Sequence, residues 1–145
     1  MIDEQLVQFL TNHPLMSALW AGLLLALIYT TVSAMLSPVK TITPQQATLL
    51  VNRQDGIFVD TRSAEEFRKG HIIDSEHVTA AQIRDGEIGS LEKHKGVPIV
   101  VVCATGLSAK AAATQLYKAG FKQASVLQGG ITGWKNASLP LTQKR

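Results

Sequence analysis

Between Leu15 and Leu36 the chain carries no charged residue. Its centre, Leu19-Trp20-Ala21-Gly22-Leu23-Leu24-Leu25-Ala26-Leu27-Ile28, is apolar throughout. A helix of about 22 residues rises roughly 33 Å, enough to cross the hydrocarbon core of a bilayer. A signal peptide and a buried helix would show similar apolarity. A signal peptide, however, has a basic leading region, and the only charges ahead of this run are Asp3 and Glu4. Ser33-Ala34 gives only a weak likeness to a cleavage site. The expectation is therefore a short N-terminal segment over 1–14, with a helical turn or two up to Leu10, and a single transmembrane helix over 15–36.

No Lys or Arg precedes the run, whereas Lys40 and Arg53 follow it closely. The positive-inside rule then places the N-terminus outside and the C-terminal part in the cytoplasm, in a single-pass arrangement in the inner membrane. Ala18, Gly22, Ala26, Thr30 and Ala34 recur at every fourth position on one helical face. Such small residues let a second helix approach, and Thr30 offers a hydroxyl for a cross-helix hydrogen bond. Either a second copy of the chain or a different membrane protein would fit there.

The remainder behaves as an ordinary soluble domain. All 14 basic residues lie from Lys40 onward, with nine acidic ones, a surplus of about +5. There is no Lys/Arg block, zinc spacing or aromatic-basic interleaving, so a nucleic-acid partner is not expected. The single cysteine cannot form an internal disulfide and fits a reducing compartment. His71 and His77 lack a third ligand at suitable spacing, and neither a metal nor a cofactor is expected.

Short apolar runs and helical patterns alternate from residue 37 to the end. A linker and first strand occupy 37–42. Thr43-Pro44-Gln45-Gln46 reads as a capped helix start. Ile57-Phe58-Val59 is a buried strand ending in Asp60-Thr61-Arg62, and Ser63 with Glu66 opens another helix. Arg62 precedes Glu66 by four residues, which suggests an Arg-carboxylate clasp, with a substrate-facing Arg62 as the other use. Ile72 to Val78 holds a brief extended piece, and Thr79 to Leu91 two short helical pieces. A helix from about Ser108 to Ala119 stops at Gly120. Ser125-Val126-Leu127 is a further strand, Ile131 to Lys135 a last helical turn anchored by Trp134, and 138–145 a polar tail. This alternation implies right-handed crossovers and a mainly parallel sheet covered on both faces.

In such sheets ligands lie beyond the C-terminal strand ends. The most hydrophobic strand, Ile99-Val100-Val101-Val102, ends on Cys103, followed by the small-residue loop Ala104-Thr105-Gly106-Leu107-Ser108 and an alanine-rich helix. Loop amides and a helix start favour negative charge, so the thiol pKa is expected to fall and the loop to cradle an anion. Gly106 allows the curl. The nearest cation in sequence is Lys110, and His71 or His77 could approach in space. A cysteine phosphatase would need an arginine at the sixth position after the nucleophile. That position is Ala109, preceded by Ser108.

From about 41 to 137 the chain resembles the single-domain rhodaneses, a sulfurtransferase family. The resemblance rests on Val59-Asp60-Thr61-Arg62 with Glu65-Glu66-Phe67, Gly70-His71-Ile72, the Ile99–Gly106 stretch, Gly120-Phe121, Val126-Leu127-Gln128-Gly129-Gly130-Ile131 and Trp134. It implies an α/β fold with a central five-stranded parallel sheet flanked by helices. It also implies that Cys103 takes sulfane sulfur from a small sulfur-containing anion such as thiosulfate. The persulfide would be held by the amides of Ala104, Thr105, Gly106, Leu107 and Ser108, then passed to cyanide or a thiol. Many members have Arg-Ser where this chain has Ser108-Ala109, and Pro-Gly where it has Ile73-Asp74. The loop is thus neutral, and its anion affinity falls to amides and the Ser108 hydroxyl. The alternative role is a non-catalytic module that scaffolds an inner-membrane protein through the soluble domain and the small-residue face.

Overall fold

The computed structural model describes residues 2–143. Met1 of the N-terminal segment, and Lys144 and Arg145 of the tail, lie outside the described residues. The chain divides between Ser37 and Pro38 into two compact units.

The first unit is helical. Helix α1 (Ile2–Asn12) is longer than the turn or two expected, and α2 (Pro14–Met35) begins two residues later. Pro14 sits at the start of α2, where the first N–H groups have no partner within the helix. Among the described residues α2 is the one helix long and apolar enough to cross a membrane, and none of its residues is buried. The Thr30 and Thr31 hydroxyls both donate to the Leu27 carbonyl, at 2.9 and 2.8 Å, within the same helix.

The second unit is the α/β domain. Its strands are β1 (Lys40–Ile42), β2 (Ile57–Asp60), β3 (Glu76–His77), β4 (Ile99–Val102) and β5 (Ala124–Leu127). They form one five-stranded sheet in the order β1-β5-β4-β2-β3, with every pairing parallel. Helices α3 (Pro44–Gln54), α4 (Ala64–Lys69), α5 (Ala80–Arg84), α6 (Ala109–Lys118) and α7 (Gly130–Asn136) connect or follow the strands, with a 3-10 turn over Gly89–His94. The expected helix starts at Thr43 and Ser63 are both capping boxes: each hydroxyl accepts from the N–H three residues on, and Gln46 and Glu66 return the bond.

β4 is apolar without interruption because both its faces are covered. Side chains alternate across a strand. Ile99, Val101 and Cys103 therefore join one core with Val59, Ala109, Ala113 and Leu116, while Val100 and Val102 join another with Phe58, Ala47, Leu127, Ile131 and Trp134.

One expectation needs correction. Arg62 does not clasp Glu66. Its guanidinium holds Asp60 instead, at 2.8 Å, because Asp60 is buried and Glu66 is used in the helix cap. Within the expected polar tail over 138–145, residues 139–142 pack back on the domain. The buried Trp134 indole donates to the Pro140 carbonyl at 2.9 Å, and Leu139 and Leu141 pack on the core around Trp134. Thr142 and His71 then exchange backbone bonds at 2.7 and 2.9 Å. A buried indole N–H needs an acceptor, and this segment supplies it.

Candidate active site

β4 delivers Cys103 to the C-terminal edge of the sheet, on the α6 face, with 3% of its surface exposed. The chain then turns through residues 104–108 before α6 begins at Ala109. The Gly106 N–H donates to Cys103 Sγ at 2.8 Å. Gly106 has φ +95°, in the region that favours glycine, and an added Cβ would meet Gly129 N at 3.2 Å and Leu127 O at 3.4 Å. No other residue fits both the angle and the space.

The charge preference of the sulfur follows from its surroundings. Burial by itself pushes the thiol pKa up. The Ser108 hydroxyl and the backbone N–H groups of Ala109, Gly106 and Thr105 oppose it, and the net direction is down. Together these donors favour the thiolate, and among the described residues no cationic side chain is bonded to it.

The carbonyls of Cys103 and Ala104, where the loop begins, are engaged away from the sulfur. Ile131 N–H donates to the Cys103 carbonyl at 2.9 Å, and the Thr132 N–H and hydroxyl both donate to the Ala104 carbonyl at 3.1 Å. The start of α7 therefore braces the loop from behind. Gly129 and Gly130 make this approach possible, with φ +72° and +56°. A Cβ on Gly130 would run into the Cys103 carbonyl oxygen, and one on Gly129 would lie 2.9 Å from Gly133 Cα.

The expected site residues do not all play equal parts. Thr105, Gly106 and Ser108 surround the sulfur, and Ala109, not expected as an amide donor, joins them. Ala104 contributes its carbonyl to the brace, and Leu107 points outward with 86% exposure. Arg62 is bonded within the fold: Nε and Nη2 donate to the Asp60 carboxylate, and Nη2 also donates to the Gly70 carbonyl at 2.6 Å. His71 and His77 bond the carbonyls of Phe67 and Arg62 and stack on the Phe67 ring. The brace by Gly129, Gly130 and Thr132 was not expected as part of the site, although the glycine pair itself marks a tight turn in the sequence. Among the described residues no group of three or more His, Cys, Asp or Glu could hold a metal ion.

Residues 43–137 match the family described as the Rhodanese-like domain. The chain belongs to this family. Similar proteins include the uncharacterized protein YibN of Escherichia coli (strain K12), 41% identical over 140 residues, which are 97% of this chain and 98% of that one. A match of that extent includes most of the helical first unit. The thiosulfate sulfurtransferase GlpE of Pseudoalteromonas translucida (strain TAC 125) is 33% identical over 98 residues, 68% of this chain and 90% of the relative. Among solved structures, a rhodanese-related protein from Thermoplasma volcanium superposes with a TM-score of 0.64 at 22% identity, over 72% of this chain and 99% of that one. That likeness shows the rhodanese fold, including its parallel sheet.

Proposed function

We propose that this protein is a membrane-anchored sulfurtransferase that carries sulfane sulfur as a Cys103 persulfide. The observation that carries the reading is the Cys103 thiol at the end of β4, bonded by the Gly106 N–H at 2.8 Å and with its pKa lowered by the donors of Ser108, Ala109, Gly106 and Thr105. The similarity to GlpE-type thiosulfate sulfurtransferases supports it.

In the proposed cycle the Cys103 thiolate attacks the outer sulfur of a donor such as thiosulfate. A bond forms between Sγ and that sulfur, the sulfur–sulfur bond of thiosulfate breaks, and sulfite leaves with the bonding electron pair. The persulfide carries the negative charge, and the loop N–H groups stabilise it. A cyanide or thiol acceptor then attacks the outer sulfur, and Cys103 returns as thiolate. The loop supplies hydrogen bonds without a full positive charge, so product anions are held less tightly than an arginine would hold them.

Helix α2 anchors this domain in the proposed arrangement, with the domain in the cytoplasm, because Lys40 and Arg53 follow the span and no Lys or Arg precedes it. The Ala18-Gly22-Ala26-Thr30 face would hold a second copy or another membrane protein. A Cβ at Gly22 meets nothing within 4 Å, so Gly22→Leu tests that face without disturbing the helix itself. Loss of an in-membrane crosslink in that variant is expected, and an unchanged crosslink refutes the packing.

The test of sulfur transfer uses the full chain, thiosulfate and cyanide. Wild type should release thiocyanate and Cys103→Ser only the uncatalysed background. Equal release from both would overturn the enzymatic reading.

A further inference from the structure

Helix α1 carries an apolar stripe that is left exposed. Ile2, Leu6, Phe9 and Leu10 recur at three- or four-residue spacing and share one helical face, and all four are exposed. Glu4, Gln8 and Thr11 occupy the opposite face. The Thr11 hydroxyl is bonded to the Val7 and Gln8 carbonyls, both at 3.0 Å. The helix holds Asp3 and Glu4 in its first turn and no Lys or Arg, so an anionic surface would repel it.

α1 is not a straight extension of α2. His13 stands between them with φ −131° and ψ 64°, outside the helical region. Pro14 has no N–H to offer the Leu10 carbonyl four residues back, as a continuous helix would require. The flanking bonds persist: His13 N–H donates to the Phe9 carbonyl and Ser17 N–H to the His13 carbonyl, both at 3.0 Å. A carbonyl deprived of its helical partner is tolerated among headgroups and their water, not in the hydrocarbon core. The break at His13-Pro14 therefore belongs at the bilayer boundary. Length gives the same answer. The 22 residues of α2 rise about 33 Å and match a core of about 30 Å. With α1 stacked end to end the rod would reach about 50 Å, beyond the roughly 40–45 Å of the whole bilayer.

We propose that α1 is a membrane-surface helix, lying in the headgroup region at the N-terminal end of α2 with zwitterionic lipid as its partner. Ile2, Leu6, Phe9 and Leu10 rest on the acyl chains, while Glu4, Gln8 and Thr11 face water. The apolar stripe supplies the attraction. Without a basic residue there is no ionic contact for salt to screen. The inference rests on the reading of α2 as a transmembrane helix and goes beyond it: the anchor gains a second, flat contact that sets the depth and tilt of the span at this end.

The experiment uses the full chain in phosphatidylcholine vesicles, on a Cys103→Ser background so that a single thiol is labelled. Leu6→Cys, Gln8→Cys and Leu24→Cys each carry an environment-sensitive fluorophore, on the stripe, on the opposite face and in the middle of α2. Quenching is read with iodide on both sides of the bilayer and with lipids bearing a nitroxide near the headgroup or deep in the acyl chain. Iodide should quench the Leu6→Cys probe several-fold less than the Gln8→Cys probe, and the shallow nitroxide should quench it more than the deep one. The Leu24→Cys probe should answer to the deep nitroxide and not to iodide. Equal iodide quenching at Leu6→Cys and Gln8→Cys overturns the surface helix. So does a Leu6→Cys probe shielded from iodide and from both nitroxides, because protein then covers the stripe. Iodide access to the Leu24→Cys probe refutes the span itself, which separates that failure from failure of the surface helix alone.

Discussion

β2 and β4 are hydrogen-bonded neighbours in one sheet and end at the same edge, Asp60 opposite Val102. They finish in opposite ways. After β2 the polar groups satisfy one another: the buried Asp60 carboxylate takes the Arg62 guanidinium and backbone N–H, and Arg62 also reaches the Gly70 carbonyl. After β4 the donors converge on a single sulfur to which no cationic side chain among the described residues is bonded. The first turn is closed and holds the fold. The second leaves a thiol whose pKa is lowered, on the edge where ligands of parallel sheets bind. Charged residues at a strand end thus do not by themselves mark the reactive place; what matters is whether their bonds are already spent on each other.

The largest expected effect lies at β4. Cys103→Ser should abolish the added mass of one sulfur atom after incubation with thiosulfate, read by mass spectrometry of the intact chain. At β2 the expected effect is on stability. Asp60→Ala leaves the nearly buried Arg62 guanidinium without its carboxylate and should cost about 3–5 kcal/mol in denaturant unfolding of the domain. The fraction still folded should load sulfur, and loss of loading there would break the division between the two turns.

Gly130→Ala should come next. The positive φ and the contact with the Cys103 carbonyl should cost roughly 1–3 kcal/mol, read by thermal unfolding, and shift the loop away from the sulfur. Slower sulfur loading should accompany the lost stability. The smallest effect is expected for Ser108→Ala, which removes the hydroxyl but keeps the amides. Without it the thiol pKa rises, so the pH profile of iodoacetamide alkylation should move to higher pH. In wild type the reactive thiolate is lost as pH falls through the lowered pKa. The stability that the lowered pKa contributes has the same sign: it is complete above the unfolded thiol's pKa and is lost as pH falls through the folded one.

Much of this arrangement is legible along the chain. An unbroken β-branched run, a cysteine and a small-residue loop mark β4 and the sulfur site, because local backbone preference and burial decide both. The capping residues at Thr43 and Ser63 are local for the same reason. The partner of Arg62 is less so. Glu66 stands at the right helical spacing, but it returns a bond to its own helix start, and the buried Asp60 has the stronger need for a cation. The support of the loop by Gly130, Ile131 and Thr132 is also hidden, since it joins backbone groups 28 residues apart in the case of Thr132 and Ala104. The docking of Leu139 and Leu141 depends on where the Trp134 indole points, which no sequence pattern fixes.

The central claim is that the end of β4 stabilises negative sulfur well enough to carry a sulfur atom. Its most direct test is mass spectrometry of the Cys103 peptide from freshly isolated membranes, with and without reductant. The account predicts a Cys103 peptide heavier by one sulfur atom, returned to the unmodified mass by reductant. An unmodified Cys103 peptide in both samples, even after addition of thiosulfate, would contradict it.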